Sequence, residues 1–302
     1  MAMLRELNNI KDLFEKSLET KNKIETNLSA VEAFKTKFFE NNFFSEKLES
    51  ETFVEINKDE TLEISGSGIV NILVKSDSNL LLNLQNKISC LIRIIVEENV
   101  KLNLSELSNN SEIFKYLQIY QKENSTVNFG QFILSSRVNY VKTYLEKNAI
   151  YELNTGYFTN NEENFIRCEV SHIYGENESN QKLNGASING GKVLCDGVIN
   201  IKPNAENSTG HLNIKGLILD KQSKIWSEPI LEVENNVVSC SHGCSISQIS
   251  DDIEFYMMSR GIIKKQVVEL IVQGYFGLPL SLIKSNTQKQ ELEKVLELNL
   301  KL

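Results

Sequence analysis

The run VVSCSHGCSISQI places Cys240, His242 and Cys244 at positions i, i+2 and i+4. In an extended strand alternate side chains share one face, at steps of about 6.6 Å. Two thiols and an imidazole pointing one way form a row of soft ligands suited to zinc or to iron–sulfur chemistry. Gly243 lets the backbone bend and draw them closer. Three ligands do not close a site, so a fourth has to come from elsewhere, including another subunit. The other reading of the same residues is a buried cysteine pair with a hydrogen-bonded histidine, since free cysteine is a common core residue. Cys90, Cys168 and Cys195 alternate with Val, Ile and Leu and read as core.

Other chemistry is thin. The three histidines, His172, His211 and His242, stand in no HExxH pattern, and no GxSxG is present. GASINGGK (185–192) falls short of a phosphate-binding loop, because Gly191 intrudes and Val193 follows the lysine. No nucleotide is expected on this chain. A polysaccharide lyase on an extended sheet would need carboxylates with Arg or Lys, and Arg93, Arg137 and Arg167 are sparse for that.

A row of this kind needs a strand to hold it and further elements to place that strand. Residues 51–247 are rich in Val, Ile, Leu, Tyr, Thr and Asn with period-two alternation, as in Val100, Leu102 and Leu104. Asn124 follows Asn99 by 25 residues and Asn148 follows Asn124 by 24, each opening a strand-like run. Asn79, Asn177 and Asn204 continue the series at other steps. Short strands at this period, without long helices between them, suggest coils of a stacked β-solenoid with Asn at the corners. A β-sandwich also spaces strands regularly and remains the alternative. Residues 1–50 and 248–302 read as helical. In the first, Leu4, Leu7, Ile10, Phe14 and Leu18 recur at helical steps, followed by Val31, Phe34, Phe38 and Phe39. In the second, Ser250 is the expected N-cap of a short helix ended by Gly261, and a second helix carries Val267, Val268, Leu270, Ile271 and Val272. Helices at both ends are expected to cap the solenoid, and the apolar surplus of the last one marks a buried cap or a docking surface.

Composition narrows the classes. With 32 basic and 40 acidic residues the net charge is −8, which argues against nucleic-acid binding. No stretch approaches the roughly 18 apolar residues of a membrane span. The first residues mix Arg5, Glu6, Lys11, Asp12 and Glu15 with apolar ones, unlike a secretion leader, so the five cysteines are expected to be reduced thiols in the cytoplasm.

From Leu217 to Phe276 the chain resembles the SufB/SufD family of iron–sulfur cluster assembly scaffolds. The markers are Pro229–Glu232 (PILE), Cys240–Gly243 (CSHG), Phe255–Tyr256 and Ser259–Gly261 (SRG). The resemblance implies a right-handed parallel β-helix flanked by helical regions and a non-enzymatic role. It implies a SufC-like ABC ATPase docked on the C-terminal helices, carried here by Phe255, Tyr256, Arg260, Gly261, Val268 and Ile271. It further implies pairing of two scaffold subunits through the end of the β-helix, with the cluster formed at that contact and His242 in the place of an interface histidine; Cys244 departs from the family, standing where Ala is usual, and adds a thiol to the row that the spacing of Cys240, His242 and Cys244 suggests. Gly243 after His242 is SufD-like. The cysteine of SufB-type members is expected near Asn213–Gly216; none is there, and His211 is the nearest candidate ligand. The chain is thus expected to act as a SufD-like half beside a SufB-like partner, or as a minimal homodimer. A structural SufD-type subunit holding no cluster is the further alternative.

Overall fold

The computed structural model describes residues 51–283 except 110–112, 136–137 and 249, together with a few positions between 286 and 294. The expected N-terminal helical region lies outside the described residues. Fifteen strands form one sheet. They are β1 (Glu51–Ile56), β2 (Glu60–Val74), β3 (Ser78–Val96), β4 (Lys101–Asn109), β5 (Ile113–Gln121), β6 (Thr126–Ser135), β7 (Val138–Leu145), β8 (Ile150–Asn160), β9 (Glu163–His172), β10 (Glu178–Ile188), β11 (Lys192–Ile201), β12 (Thr209–Ile218), β13 (Lys224–Trp226), β14 (Pro229–Val233) and β15 (Ser239–Gln248).

Beyond β3 the strands β4, β6, β8, β10, β12 and β15 stack in that order into one face, and β5, β7, β9 and β11 into the other, where β13 and β14 both pair with β11. The long β3 bends from one face to the other and joins them, pairing with β4 through its first half and β5 through its second. Every pairing is parallel, as in β6 with β8 and β7 with β9. A sandwich of antiparallel hairpins is therefore excluded, and the chain is a parallel β-helix.

The corners follow from single residues. Asn99, Asn124 and Asn148 adopt φ of 61°, 57° and 56°, a left-handed conformation that asparagine tolerates better than most residues. Each donates its backbone N–H to the next coil, to Glu123, Lys147 and Gly175 respectively. The series then shifts: Glu176 and Asn207 take the left-handed positions where Asn177 and Asn204 were expected. Asn177 instead turns its buried side chain inward, accepting from Ala149 N–H and donating to the Tyr174 carbonyl. Asn79 is no corner either; its side chain belongs to an external ladder running Asp59, Asn79, Asn103, Asn128. The links between coils lengthen along the chain, from 20 residues at Asp59–Asn79, through 24 at Asn79–Asn103, to 30 at His211–Ser241.

Inside the rod, inward residues of both faces form one continuous core, including Leu102, Leu104, Phe129, Leu153 and Ile199. Two helices follow the strands: α1 (Asp251–Ser259) and α2 (Lys264–Leu282). The end-capping expected of the C-terminal helices is not what α2 does. It lies along the side of the rod, where Val272 and Phe276 pack on Leu107, Phe132, Phe158 and Ala186. Gly156 makes room for it: a Cβ there would stand 2.7 Å from the Phe276 ring. Among the described residues no strand covers the C-terminal end of the rod.

Candidate functional site

The terminal strand β15 pairs with β12 in simple register, Cys240 beside Gly210, His242 beside Leu212 and Cys244 beside Ile214. Gly210, Leu212 and Ile214 are buried and face the axis of the rod. The period of two therefore sends Cys240, His242 and Cys244 to the same inward face, one coil further on. No strand among the described residues covers β15 on its far side. A column that would be core in any earlier coil thus ends in the open. Cys240 is half-buried against the core, while His242 and Cys244 are exposed. Burial pushes the Cys240 thiol above its ordinary range, partly offset by the Gly210 backbone.

A buried cysteine pair does not describe this geometry, because Cys244 is exposed and all five thiols are free. Nor is the row a closed metal site by itself: among the described residues no three His, Cys, Asp or Glu side chains converge on one point. The strand holds its three soft donors in line on one face of the last coil. Apolar side chains frame it. Val233, Val237 and Ile246 are all exposed on this last coil.

His211 does not join the row. It pairs with Ser241, one residue out of phase, so its ring lies on the outer face of the sheet, with Nδ1 2.8 Å from Ser241 Oγ. Within Asn213–Gly216, only Ile214 and Gly216 share the inward face. The space over Gly216 is filled first by Ile225, two of whose carbons would stand 3.1 Å from a Cβ there, and then by the Tyr157 hydroxyl at 3.3 Å.

The helical residues divide in two. Ser250 caps α1 by accepting from Ile253 N–H, and Gly261, at φ 86°, ends it. Phe255 is 75% exposed and Tyr256 57%, with the Arg260 guanidinium 5.2 Å from the Tyr256 ring centre. Ile253, Met258, Ile263 and Leu270 are exposed as well, and of these the sequence reading named only Leu270. Val268 and Ile271 do not belong to this exposed set: both are half-buried against the cluster that fastens α2 to the rod. Their helical spacing put them on the stripe shared with Val272 and Tyr275, and the rod claims that stripe.

A buried ion pair was also missed. Lys115 and Glu106 lie wholly inside the rod and bond to each other, and Ser108 donates to Glu106 at 3.1 Å. Parity carried the signal: Glu106 is in phase with Leu102 and Leu104, and Lys115 with Ile113 and Leu117.

Residues 67–275 match the family model for the SufBD core domain of the SUF system of FeS cluster assembly. Iron–sulfur cluster assembly SufBD family proteins of Staphylococcus aureus (strain USA300) and Staphylococcus haemolyticus (strain JCSC1435) are each 33% identical to the chain over 113 residues. That stretch is 37% of this chain and 23% of each relative, so the match spans less than a quarter of their length. No helix among the described residues is long and apolar enough to cross a membrane.

Proposed function

The chain belongs to the SufBD family of iron–sulfur cluster assembly proteins, and we propose that it is a cytoplasmic, non-catalytic scaffold subunit on whose open end a cluster is built. The observation that carries this reading is the Cys240–His242–Cys244 column on an uncovered terminal strand. A second subunit, another copy or a SufB-like partner, would meet this end through β15 and the apolar Val233, Val237 and Ile246. It would bring the donors the row lacks. The thiols lose their protons as they ligate iron, sulfide then binds to the iron so held with no change of oxidation state, and the neutral imidazole of His242 adds a nitrogen of intermediate softness. Iron and sulfide are cargo here, held until the finished cluster leaves. A SufC-like ABC ATPase fits the exposed patch of Phe255, Tyr256 and Arg260 on α1. Its nucleotide-driven movement would act on the rod through α2, and this chain needs no nucleotide site of its own.

Complementation in cells that depend on the chain tests the reading. The variant Cys240→Ser/His242→Ala/Cys244→Ser is expected to abolish cluster output at normal protein level. Unaltered output would make the row structural and the subunit one that holds no cluster.

A further inference from the structure

The inward column that starts at Tyr157 on β8 runs through Gly185 on β10 and Gly216 on β12 to Ile246 on β15. Two glycines in succession leave a slot two strands deep, and the Tyr157 side chain enters it. A Cβ at Gly185 would stand 2.3 Å from the tyrosine ring, and one at Gly216 would stand 3.3 Å from its hydroxyl. The phenol therefore leans along the rod toward the C-terminal end and sets its oxygen level with β12, one strand below the terminal coil. Neighbouring strands lie about 4.8 Å apart, and Ile246 shares its face with Cys244 two residues away. Ile246, which stands over this column, is 39% exposed, so the last coil does not seal it.

Tyr157 is wholly buried, yet its hydroxyl has no hydrogen-bond partner among the described residues. Phenylalanine would fill the same slot without burying an unpaired polar group. Burial pushes the phenol well above its ordinary pKa, and Cys195, Tyr275 and Cys244 add to this in that order. The group is thus a neutral O–H that can donate. Tyr151, on the same strand and also buried, turns the other way: its hydroxyl has Thr143 on β7, Cys168 and Glu106 as neighbours. We propose that the Tyr157 hydroxyl is a built-in donor for the cargo, giving its hydrogen bond to a sulfide of the cluster held at Cys244. This rests on the reading of the Cys240–His242–Cys244 row as the assembly site. No covalent bond changes in the step. The O–H dipole offsets negative charge on the sulfur, which favours the reduced cluster.

The complex of the chain with its ATPase and partner subunit is purified without oxygen as parent, Tyr157→Phe and Tyr151→Phe, and the reduction potential of the bound cluster is measured by dye-mediated titration. Tyr157→Phe is expected to keep the parent's cluster content, with a melting temperature no lower. It should make reduction about tenfold less favourable, or about 59 mV for one electron. Tyr151→Phe is expected to leave the potential unchanged. A cluster at the parent's potential in Tyr157→Phe overturns this proposal and leaves the row as the assembly site. An equal shift in Tyr151→Phe also overturns it, because the shift would then come from the rod at large. A parent complex without a cluster overturns the row and the donor together.

Discussion

His172 sits fully buried inside the rod with Nε2 2.8 Å from Ser179 Oγ. Desolvation pushes its pKa down to about 4. The folded protein therefore keeps this ring neutral where an unfolded chain, at an ordinary value near 6.5, takes up a proton. Its contribution to stability is complete above about pH 6.5 and is lost as pH falls toward 4, roughly 2–3 kcal/mol by pH 4.5. Urea unfolding at pH 7.5 and 4.5 should show the parent losing about that much more stability than His172→Gln. Cys90 and Cys168 act in the opposite direction. Burial raises both thiols to about 12, so their contribution is present below the ordinary thiol range and declines as pH rises from about 9 toward 12. The Lys115–Glu106 pair is sensitive to imbalance. Lys115→Met strands a buried carboxylate and is expected to cost about 3–5 kcal/mol, whereas Lys115→Met/Glu106→Leu should recover most of it. Chemical denaturation of the single and double variants reads the difference.

At the scale of elements, α1 leaves its apolar side chains exposed while α2 packs on the rod, and the proposed ATPase docking falls to the first. Phe276→Ala should cost about 3–5 kcal/mol in denaturation, because the ring is buried between the rod and its helix. Phe255→Ser/Tyr256→Ser should leave the melting temperature within a degree or so and weaken binding of the ATPase by roughly 10²-fold, as expected when two central aromatic anchors are lost. Calorimetric titration of the scaffold with the ATPase checks both. The same contrast explains what the sequence disclosed. The corners at Asn99, Asn124 and Asn148 were readable because left-handed tolerance is a property of one residue. Asn177 and Asn204 misled because the coils lengthen there and the corner slides to Glu176 and Asn207. That Cys240, His242 and Cys244 share one face was readable from a period of two, and that this face is the inward one came from the register with β12. That His211 lies on the other face was not readable, since it depends on the register between β12 and β15. The roles of Val268 and Ile271 turned on where α2 lies, and Gly130 on β6 and Gly156 on β8 make room for it: Cβ atoms there would stand 2.8 Å from the Pro279 carbonyl and 2.7 Å from the Phe276 ring.

Taken as one body, the molecule is a rod with a helix along its side and an open terminal coil. Val233, Val237 and Ile246 are exposed around polar β15, and the proposed subunit pairing uses this coil. Val237→Asp/Ile246→Asp is expected to halve the native mass of the scaffold pair without unfolding the rod, which light scattering and circular dichroism together report. The most direct test of the scaffold reading is spectroscopic. The chain is purified without oxygen together with its ATPase and partner subunit, and iron, sulfide, visible absorption and Mössbauer spectra are recorded. The parent complex should carry a thiolate-ligated iron–sulfur cluster, and the complex containing Cys240→Ser/His242→Ala/Cys244→Ser should have the same mass and no cluster. An identical cluster content in both would contradict the assignment of the terminal row as the assembly site.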